Sequence, residues 1–157
     1  MKKNEVEFLD EKQNQPKPVY EDFINLDDGA PEIMVLEDDP IVLRQLKSLI
    51  MNTLPFARVV GFDSSLEAIE WVRRQDRLPS LAILDVVLRQ GTGIEFSRDL
   101  RKQFIGIPHF FISGLQHQDF VKIVSPISIS PTYLEKPLDP FKLKNLLLHF
   151  LPDALAK

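Results

Sequence analysis

Cysteine does not occur among the 157 residues, and tryptophan occurs once. The absence of cysteine excludes disulfide bonds, thiolate nucleophiles and cysteine-based zinc sites. No run of about 18 apolar residues is present, and the N-terminal stretch MKKNEVEFLDEK lacks the apolar core of a signal peptide. The sequence therefore predicts a cytoplasmic protein without a membrane span.

An excess of positive charge is also lacking, because the formal net charge is −4. The composition thus gives no electrostatic reason to expect direct binding to nucleic acid. The first 32 residues hold nine acidic residues and four lysines. This composition predicts a flexible acidic leader over residues 1–31, with any order confined to about Val19–Leu26.

From residue 32 onward, short apolar runs alternate with segments of helical periodicity. The predicted strands cover about residues 33–36, 57–62, 81–84, 107–112 and 132–135, and the predicted helices cover about 40–54, 65–75, 93–104, 118–124 and 140–151. Strands that are apolar on both faces need helices on both sides. The sequence therefore predicts an α/β domain over residues 32–152, with a five-stranded parallel sheet in a doubly wound, three-layer arrangement. A short tail follows at residues 153–157.

The spacing of apolar residues predicts the buried side of each helix. For the first helix this side is Val42, Leu46, Leu49, Ile50 and Leu54, and for the last it is Phe141, Leu143, Leu146, Leu147 and Phe150. The fourth helix is different, because Phe120, Val121, Ile123 and Val124 do not fit one buried stripe. With Ile127 and Ile129, its exposed members predict a patch for a protein partner or a second copy.

Polar side chains follow the predicted strands at the point where each strand ends. Asp38 and Asp39 follow the first strand, Asp85 the third, Ser113 the fourth and Lys136 the fifth. In doubly wound sheets, ligands bind beyond the carboxyl ends of the strands. These side chains are therefore predicted to form one site.

The predicted carboxylates repel one another unless a cation lies between them. Mg²⁺ or Mn²⁺ accepts one or two carboxylates and keeps several waters. Asp39 and Asp85 are predicted to bind such an ion together with the backbone carbonyl of Val87, and Asp38 is predicted to act through water. A plainer alternative makes Asp39 only the cap of the helix that starts at Pro40.

A lysine and a hydroxyl beside such an ion meet the needs of phosphoryl transfer. The Lys136 ammonium and the Ser113 hydroxyl are placed to bind the phosphoryl oxygens, where charge accumulates. A carboxylate is an established kind of covalent acceptor and gives an aspartyl phosphate. The predicted chemistry is phosphorylation of Asp85.

The chain resembles the response-regulator receiver domains of two-component signalling systems. The resemblance lies in the segments VLEDDP at 35–40, LAILDVVLRQGTGIEF at 81–96, FFISG at 110–114 and YLEKP at 133–137. It implies a flavodoxin-like fold with strand order 2-1-3-4-5 and a cis peptide bond before Pro137. It also implies roles for five kinds of residue: Asp38 and Asp39 as the acidic pair, Asp85 as phospho-acceptor, Ser113 as switch hydroxyl, Lys136 as the site lysine, and Tyr133 as the switch aromatic.

The implied function is a phosphorylation-controlled signalling switch and not an enzyme with a free substrate. The expected partners are a histidine kinase or histidine phosphotransfer protein and a downstream protein, which contacts the face formed by the fourth helix, fifth strand and fifth helix. A homodimer is a further expectation. One alternative is a receiver-like interaction module that is not regulated by phosphorylation. Another, a phosphatase of the haloacid dehalogenase type, would require an aspartate where this chain has Val87.

Three positions depart from the usual receiver pattern or, by the family pattern, bear on the lifetime of the phosphorylated state. The family often has proline four residues after the acceptor, where this chain has Arg89. The side chains two residues after the acceptor and two after the switch hydroxyl flank the path of the attacking water, and here they are Val87 and Leu115. Since neither can orient water, slow hydrolysis is expected.

Overall fold

The computed structural model describes residues 20–21, 29–124 and 132–155. Its strands are β1 (Tyr20–Glu21), β2 (Glu32–Leu36), β3 (Arg58–Phe62), β4 (Leu81–Asp85), β5 (His109–Ser113) and β6 (Tyr133–Glu135). Its helices are α1 (Pro40–Thr53), α2 (Ser65–Arg73), α3 (Gly93–Gln103), α4 (His117–Val124) and α5 (Pro140–Phe150), followed by a 3-10 turn at Pro152–Leu155. In the described part of the chain, no helix is both long and apolar enough to cross a membrane.

Five of the strands form the predicted parallel sheet. They lie in the order β3-β2-β4-β5-β6, which confirms the predicted order 2-1-3-4-5. The short strand β1 adds a sixth, antiparallel member, which pairs with β3 at the edge of the sheet. The sequence predicted that any ordered part of the leader would lie within about Val19–Leu26, and β1 falls within this segment. The rest of residues 1–28 lies outside the described residues. The prediction that the leader is flexible concerns these residues and stays a prediction.

The sheet has a hydrophobic core on each face. Alternate strand residues such as Met34 and Leu84 pack against α2, α3 and α4, whereas their neighbours Ile33 and Ile83 pack against α1 and α5. Successive side chains of a strand point to opposite faces, so a fully apolar strand needs helices on both sides. The predicted three-layer arrangement is therefore present.

Helix caps hold the loops near the carboxyl ends of the strands. Asp39, Ser64, Thr92 and Asp139 each accept backbone N–H groups from the first turn of the helix that follows. Such caps satisfy N–H groups that have no partner within the helix. The caps fix where each helix begins relative to the strand before it.

Two predicted helix faces need correction. Phe141 is 71% exposed, because it lies in the first turn of α5, ahead of the buried pair Leu143 and Leu147. In α1 Leu43 is buried together with Leu46 and Ile50, whereas Val42 is only partly buried. The pattern of α4 follows the prediction, since Phe120 and Val124 are buried while Val121 and Ile123 are exposed. Ile127 and Ile129 lie outside the described residues.

Candidate functional site

The acidic cluster at the carboxyl edge of the sheet consists of Glu37, Asp38 and Asp85. One carboxylate oxygen from each lies within 4.8 Å of the others. The strand register explains this convergence, because Leu36 of β2 lies opposite Leu84 of β4. The residues that follow these two, Glu37 and Asp85, are consequently side by side and almost fully buried.

Asp39 does not belong to this cluster, and its predicted role is corrected here. Its Oδ1 accepts the backbone N–H groups of Ile41 at 2.8 Å and Val42 at 3.4 Å. The carboxylate therefore caps α1, which is the plainer alternative drawn from the sequence. The acidic neighbour of Asp38 in the cluster is Glu37, one position after the end of β2.

Glu37 is the residue that the sequence prediction missed, although a signal was available. It directly follows the apolar strand Ile33–Leu36, in the same way as Asp85 follows the run Leu81–Leu84. Because Glu37, Asp38 and Asp39 follow one another, the acidic pair of the site could be either Glu37 with Asp38 or Asp38 with Asp39. Applying the same strand-end rule to both strands would have selected Glu37.

Lys136 lies between two of the carboxylates. Its Nζ donates to Glu37 Oε2 at 2.7 Å and to Asp85 Oδ2 at 3.0 Å. The backbone holds it there, since the Lys136 N–H donates to the Ser113 carbonyl at 2.7 Å. The Lys136–Pro137 peptide bond is cis, as the resemblance implied. Burial alone would lower the pKa of Lys136, but the hydrogen bonds that it donates to Glu37 and Asp85 raise the pKa above its ordinary value. The lysine therefore stays charged beside Asp85.

The pKa of Glu37 is raised in this crowded cluster. Burial raises its pKa from 4.5 to about 7, and the nearby Asp85 charge adds to the rise. The hydrogen bonds from Lys136 and from the Asp39 backbone N–H act in the opposite direction. Two of the three carboxylates thus contact the Lys136 ammonium group, and a further positive charge would stabilise the cluster.

The donor set fits a hard divalent cation. The three side chains offer only carboxylate oxygens, which Mg²⁺ and Mn²⁺ prefer. Asp38 is the best placed to bind an ion, because both oxygens of Glu37 and both oxygens of Asp85 already accept hydrogen bonds. The chemistry of the donors therefore agrees with the Mg²⁺ or Mn²⁺ expected from the sequence.

The loop after β4 contacts the cluster through its backbone. Val87 N–H donates to Asp85 Oδ1 at 3.2 Å, and Arg89 N–H donates to Asp38 Oδ2 at 2.6 Å. Gly93 closes this loop against the strand, where a Cβ would stand 2.0 Å from the Asp85 carbonyl oxygen. Only glycine fits there without a shift of the backbone.

Ser113 and Tyr133 form the other side of the site. Ser113 is buried at the end of β5, and its Oγ accepts the N–H of Leu115 at 3.1 Å. The Tyr133 hydroxyl donates to the backbone carbonyl of Leu115 and lies 3.3 Å from that of Ser113. Phe120 of α4 stacks on the Tyr133 ring at 4.2 Å between centroids. The loop after β5 is thereby joined to α4.

The two apolar residues predicted to flank the water path differ in exposure. Val87 is more than half exposed beside Asp85. Leu115 is partly buried and packs against the core on the α4 side. The structure thus places one of them at the open edge of the site and the other on the loop held by Tyr133.

Comparison with known proteins identifies the family. The model of the response regulator receiver domain matches residues 33–148. The uncharacterized transcriptional regulatory protein YbdJ of Bacillus subtilis (strain 168) is 26% identical over 121 residues, which make up 74% of this chain and 51% of that protein. The chain spans about half the length of the curated relatives it matches.

Solved structures share the fold at low sequence identity. A two component transcriptional regulator AraC from Clostridium phytofermentans ISDg has a TM-score of 0.68 and 22% identity, covering 81% of this chain and 97% of that chain. A receiver domain protein (CheY-like) from Methanospirillum hungatei JF-1 has a TM-score of 0.66 and 18% identity, covering 80% and 96%. Since the family model covers most of the chain, the chain belongs to the response regulator receiver domain family of two-component signalling.

Proposed function

We propose that Asp85 accepts a phosphoryl group from the phosphohistidine of a histidine kinase or histidine phosphotransfer protein. The observation that carries the proposal is the position of the Asp85 carboxylate, which lies 3.0 Å from the Lys136 ammonium and beside Glu37 and Asp38. A carboxylate held between a lysine and a cation site is equipped for covalent phosphoryl transfer.

In the proposed step, a carboxylate oxygen of Asp85 forms a bond to phosphorus while the P–N bond of phosphohistidine breaks. The imidazole leaves with the electron pair of that bond and takes up a proton from solvent. Lys136 and the Ser113 hydroxyl bind phosphoryl oxygens as charge develops on them. Asp38, Asp85 and the Val87 carbonyl would hold Mg²⁺ or Mn²⁺, which supplies further charge neutralisation.

The new charge on Asp85 is proposed to act on the loop after β5. Ser113 and Tyr133 both contact this loop, and Tyr133 stacks on Phe120 of α4. A movement of the Ser113 hydroxyl towards the phosphoryl group would therefore change the packing of the face formed by α4, β6 and α5. This follows the general pattern in which a local charge shifts a packed element. The downstream partner is proposed to bind that face.

The apolar side chains Val87 and Leu115 are proposed to slow hydrolysis of the aspartyl phosphate. Neither side chain can hydrogen-bond to a water and direct it at phosphorus. The exposure of Val87 beside Asp85 supports a shielding position at the open edge of the site. A long-lived phosphorylated state would suit a signal that a separate phosphatase ends.

The proposal is tested by incubation with Mg²⁺ and a small phosphodonor, followed by intact-protein mass measurement. We expect one phosphoryl group on the wild type and none on Asp85→Asn. Asp63 is the matched control, because it also follows a strand but is exposed and lies outside the acidic cluster. Labelling of Asp85→Asn at the wild-type rate would reject the acceptor. No labelling of the wild type would favour an interaction module that is not regulated by phosphorylation.

A further inference from the structure

Arg89 contacts the acidic cluster from the loop after β4, and the proposed reaction gives this residue no role. The loop after β4 is closed by a bridge between Val87 and Thr92, with Gly91 at a positive φ of 77°. This turn directs the backbone at Arg89 towards β2, across the cluster. Arg89 thereby brings a positive charge to the loop side of Asp38.

Two groups of Arg89 lie near the same oxygen of Asp38. Its backbone N–H donates to Asp38 Oδ2 at 2.6 Å, and its side-chain Nε lies 3.9 Å from that oxygen. The Asp38 side chain is only 14% exposed, whereas the Arg89 side chain is 81% exposed. The loop thus supplies both a hydrogen-bond donor and a positive charge to a carboxylate of the cluster.

These groups oppose the binding of a cation at Asp38. A divalent ion that approaches Oδ2 must displace the N–H donor or use the other oxygen, and it meets the repulsion of the guanidinium group. At a separation of several ångströms from an exposed arginine, this repulsion changes an equilibrium by about two- to fivefold.

We propose that Arg89 competes with the divalent cation for Asp38 and so lowers the affinity of the cluster for the ion. This inference rests on the ion site of the proposed function. Arg89 acts as a positioning residue, since it contacts a ligand of the ion and not the reacting atoms. The cluster then fills with the ion only at higher concentrations than its carboxylates alone would require.

The test is a titration of the full chain with Mn²⁺, in which electron paramagnetic resonance measures the free ion, followed by displacement with Mg²⁺. Arg89→Gln should bind the ion about two- to fivefold more tightly than the wild type at low salt. The difference should shrink as ionic strength rises, because the side chain is exposed. Arg89→Lys, which keeps the charge, should stay nearer to the wild type.

Lys102→Gln is the matched control for net charge. Lys102 is exposed in the last turn of α3, at the opposite end of the helix from Gly93 and the cluster. Its replacement removes the same charge and should leave the dissociation constant unchanged.

Arg89→Pro separates the backbone from the side chain, because proline lacks the N–H that Asp38 accepts. We expect this variant to bind the ion more tightly than Arg89→Gln, provided that its thermal unfolding shows a native transition. If the proline variant does not fold, the dissociation constant of Arg89→Gln for Mn²⁺ alone tests the inference.

The outcomes separate this inference from the proposed function. Equal or weaker binding by Arg89→Gln overturns the inference and leaves phosphorylation of Asp85 untouched. A gain of the same size in Lys102→Gln overturns it as well, since net charge alone would then explain the effect. If no variant and no wild type binds Mn²⁺, the inference and the ion site of the proposed function both fail.

Discussion

At the scale of single residues, three successive acidic side chains make different contacts. Glu37 accepts a hydrogen bond from Lys136, Asp38 faces the loop after β4, and Asp39 caps α1. The backbone turns sharply between the end of β2 and the start of α1, so neighbouring carboxylates point in different directions. A role in ion binding is therefore proposed for Asp38 and not for Asp39.

Replacement of Asp39 tests this division. Asp39→Ala should lower the free energy of unfolding by about 1 kcal/mol through loss of the cap. It should leave the dissociation constant for Mn²⁺ unchanged, whereas Asp38→Asn should raise that constant about tenfold, equivalent to about 1.4 kcal/mol. Asp39→Ser is the control, because serine also caps helices and should keep most of the stability. Weaker Mn²⁺ binding by Asp39→Ser and Asp39→Ala alike would restore Asp39 as a ligand.

Gly93 is the glycine with the least room in the described chain. A Cβ at this position would stand 2.0 Å from the Asp85 carbonyl oxygen, whereas one at Gly114 would meet nothing within 4 Å. Gly93→Ala should therefore cost about 3 kcal/mol or more in denaturant unfolding, since the strand or the helix must shift. Gly114→Ala should change stability by less than about 0.5 kcal/mol. Similar stability of the two variants would show that the loop after β4 yields easily.

His109 links β5 to α3 and makes stability depend on pH. Its Nε2 lies 2.7 Å from Ser97 Oγ and 3.2 Å from an Arg101 guanidinium nitrogen, while Nδ1 lies 3.2 Å from the Ile107 carbonyl. Burial lowers its pKa below 6.5 and the charge of Arg101 lowers it further, although the Ile107 contact raises it. The unfolded chain therefore binds the proton at a higher pH than the folded protein does.

The sign of the pH effect follows from that difference. The contribution of His109 to stability is complete above pH 6.5 and is lost as the pH falls from 6.5 towards the lower folded-state pKa. In thermal unfolding between about pH 8 and about pH 5, His109→Gln should show a smaller decrease in Tm than the wild type. His149 is exposed in α5 and serves as the control. An equal decrease for His109→Gln and wild type would contradict the assignment.

At the scale of elements, the loops after β4 and β5 carry the proposed control of hydrolysis. Val87→Asn with Leu115→Glu places polar groups at the two positions that flank the path of water. The lifetime of phosphorylated Asp85, followed by mass measurement after removal of the phosphodonor, should shorten about fivefold. Dissociation constants for Mg²⁺ must be equal in the two proteins for the comparison to hold. An unchanged lifetime at equal Mg²⁺ affinity would refute the shielding role.

The elements also show which features the sequence carries by itself. The parallel strands are predictable where an apolar run ends in a polar residue or is directly followed by one, as in Leu81–Asp85 and in Glu32–Leu36 before Glu37. The edge strand β1 was not predictable in detail, since a strand of two residues depends on the free edge of β3. The contact between His109 and Ser97 was missed for a similar reason, because it joins a strand to a helix through tertiary packing.

Site residues follow the same rule. Asp85 and Lys136 were predictable from their places at strand ends, and the structure brings them to 3.0 Å. Glu37 was predictable by the same rule, whereas the position of Asp39 as the cap of α1 follows from the backbone geometry after β2. The exposure of Phe141 likewise depends on where the first turn of α5 lies relative to α1 and not on its hydrophobicity.

At the scale of the whole molecule, the face formed by α4, β6 and α5 is the place where the proposed switch would be read. Val121 and Ile123 of α4 are exposed apolar side chains on this face, on the helix whose Phe120 stacks on Tyr133. Exposed apolar residues next to an element that responds to the site mark a candidate contact with a second copy.

Beryllium fluoride, as a mimic of the phosphoryl group at Asp85, tests this contact. We expect it to raise the weight-average mass in sedimentation at high protein concentration, because the rearranged face then pairs with a second copy. Val121→Lys with Ile123→Lys should abolish the increase by placing like charges in the contact. Ile105→Lys is the matched control, since Ile105 is 93% exposed but lies in the loop before β5, at the amino end of that strand. An increase that survives in the α4 variant, or one that Ile105→Lys abolishes equally, would exclude this face as the dimer contact.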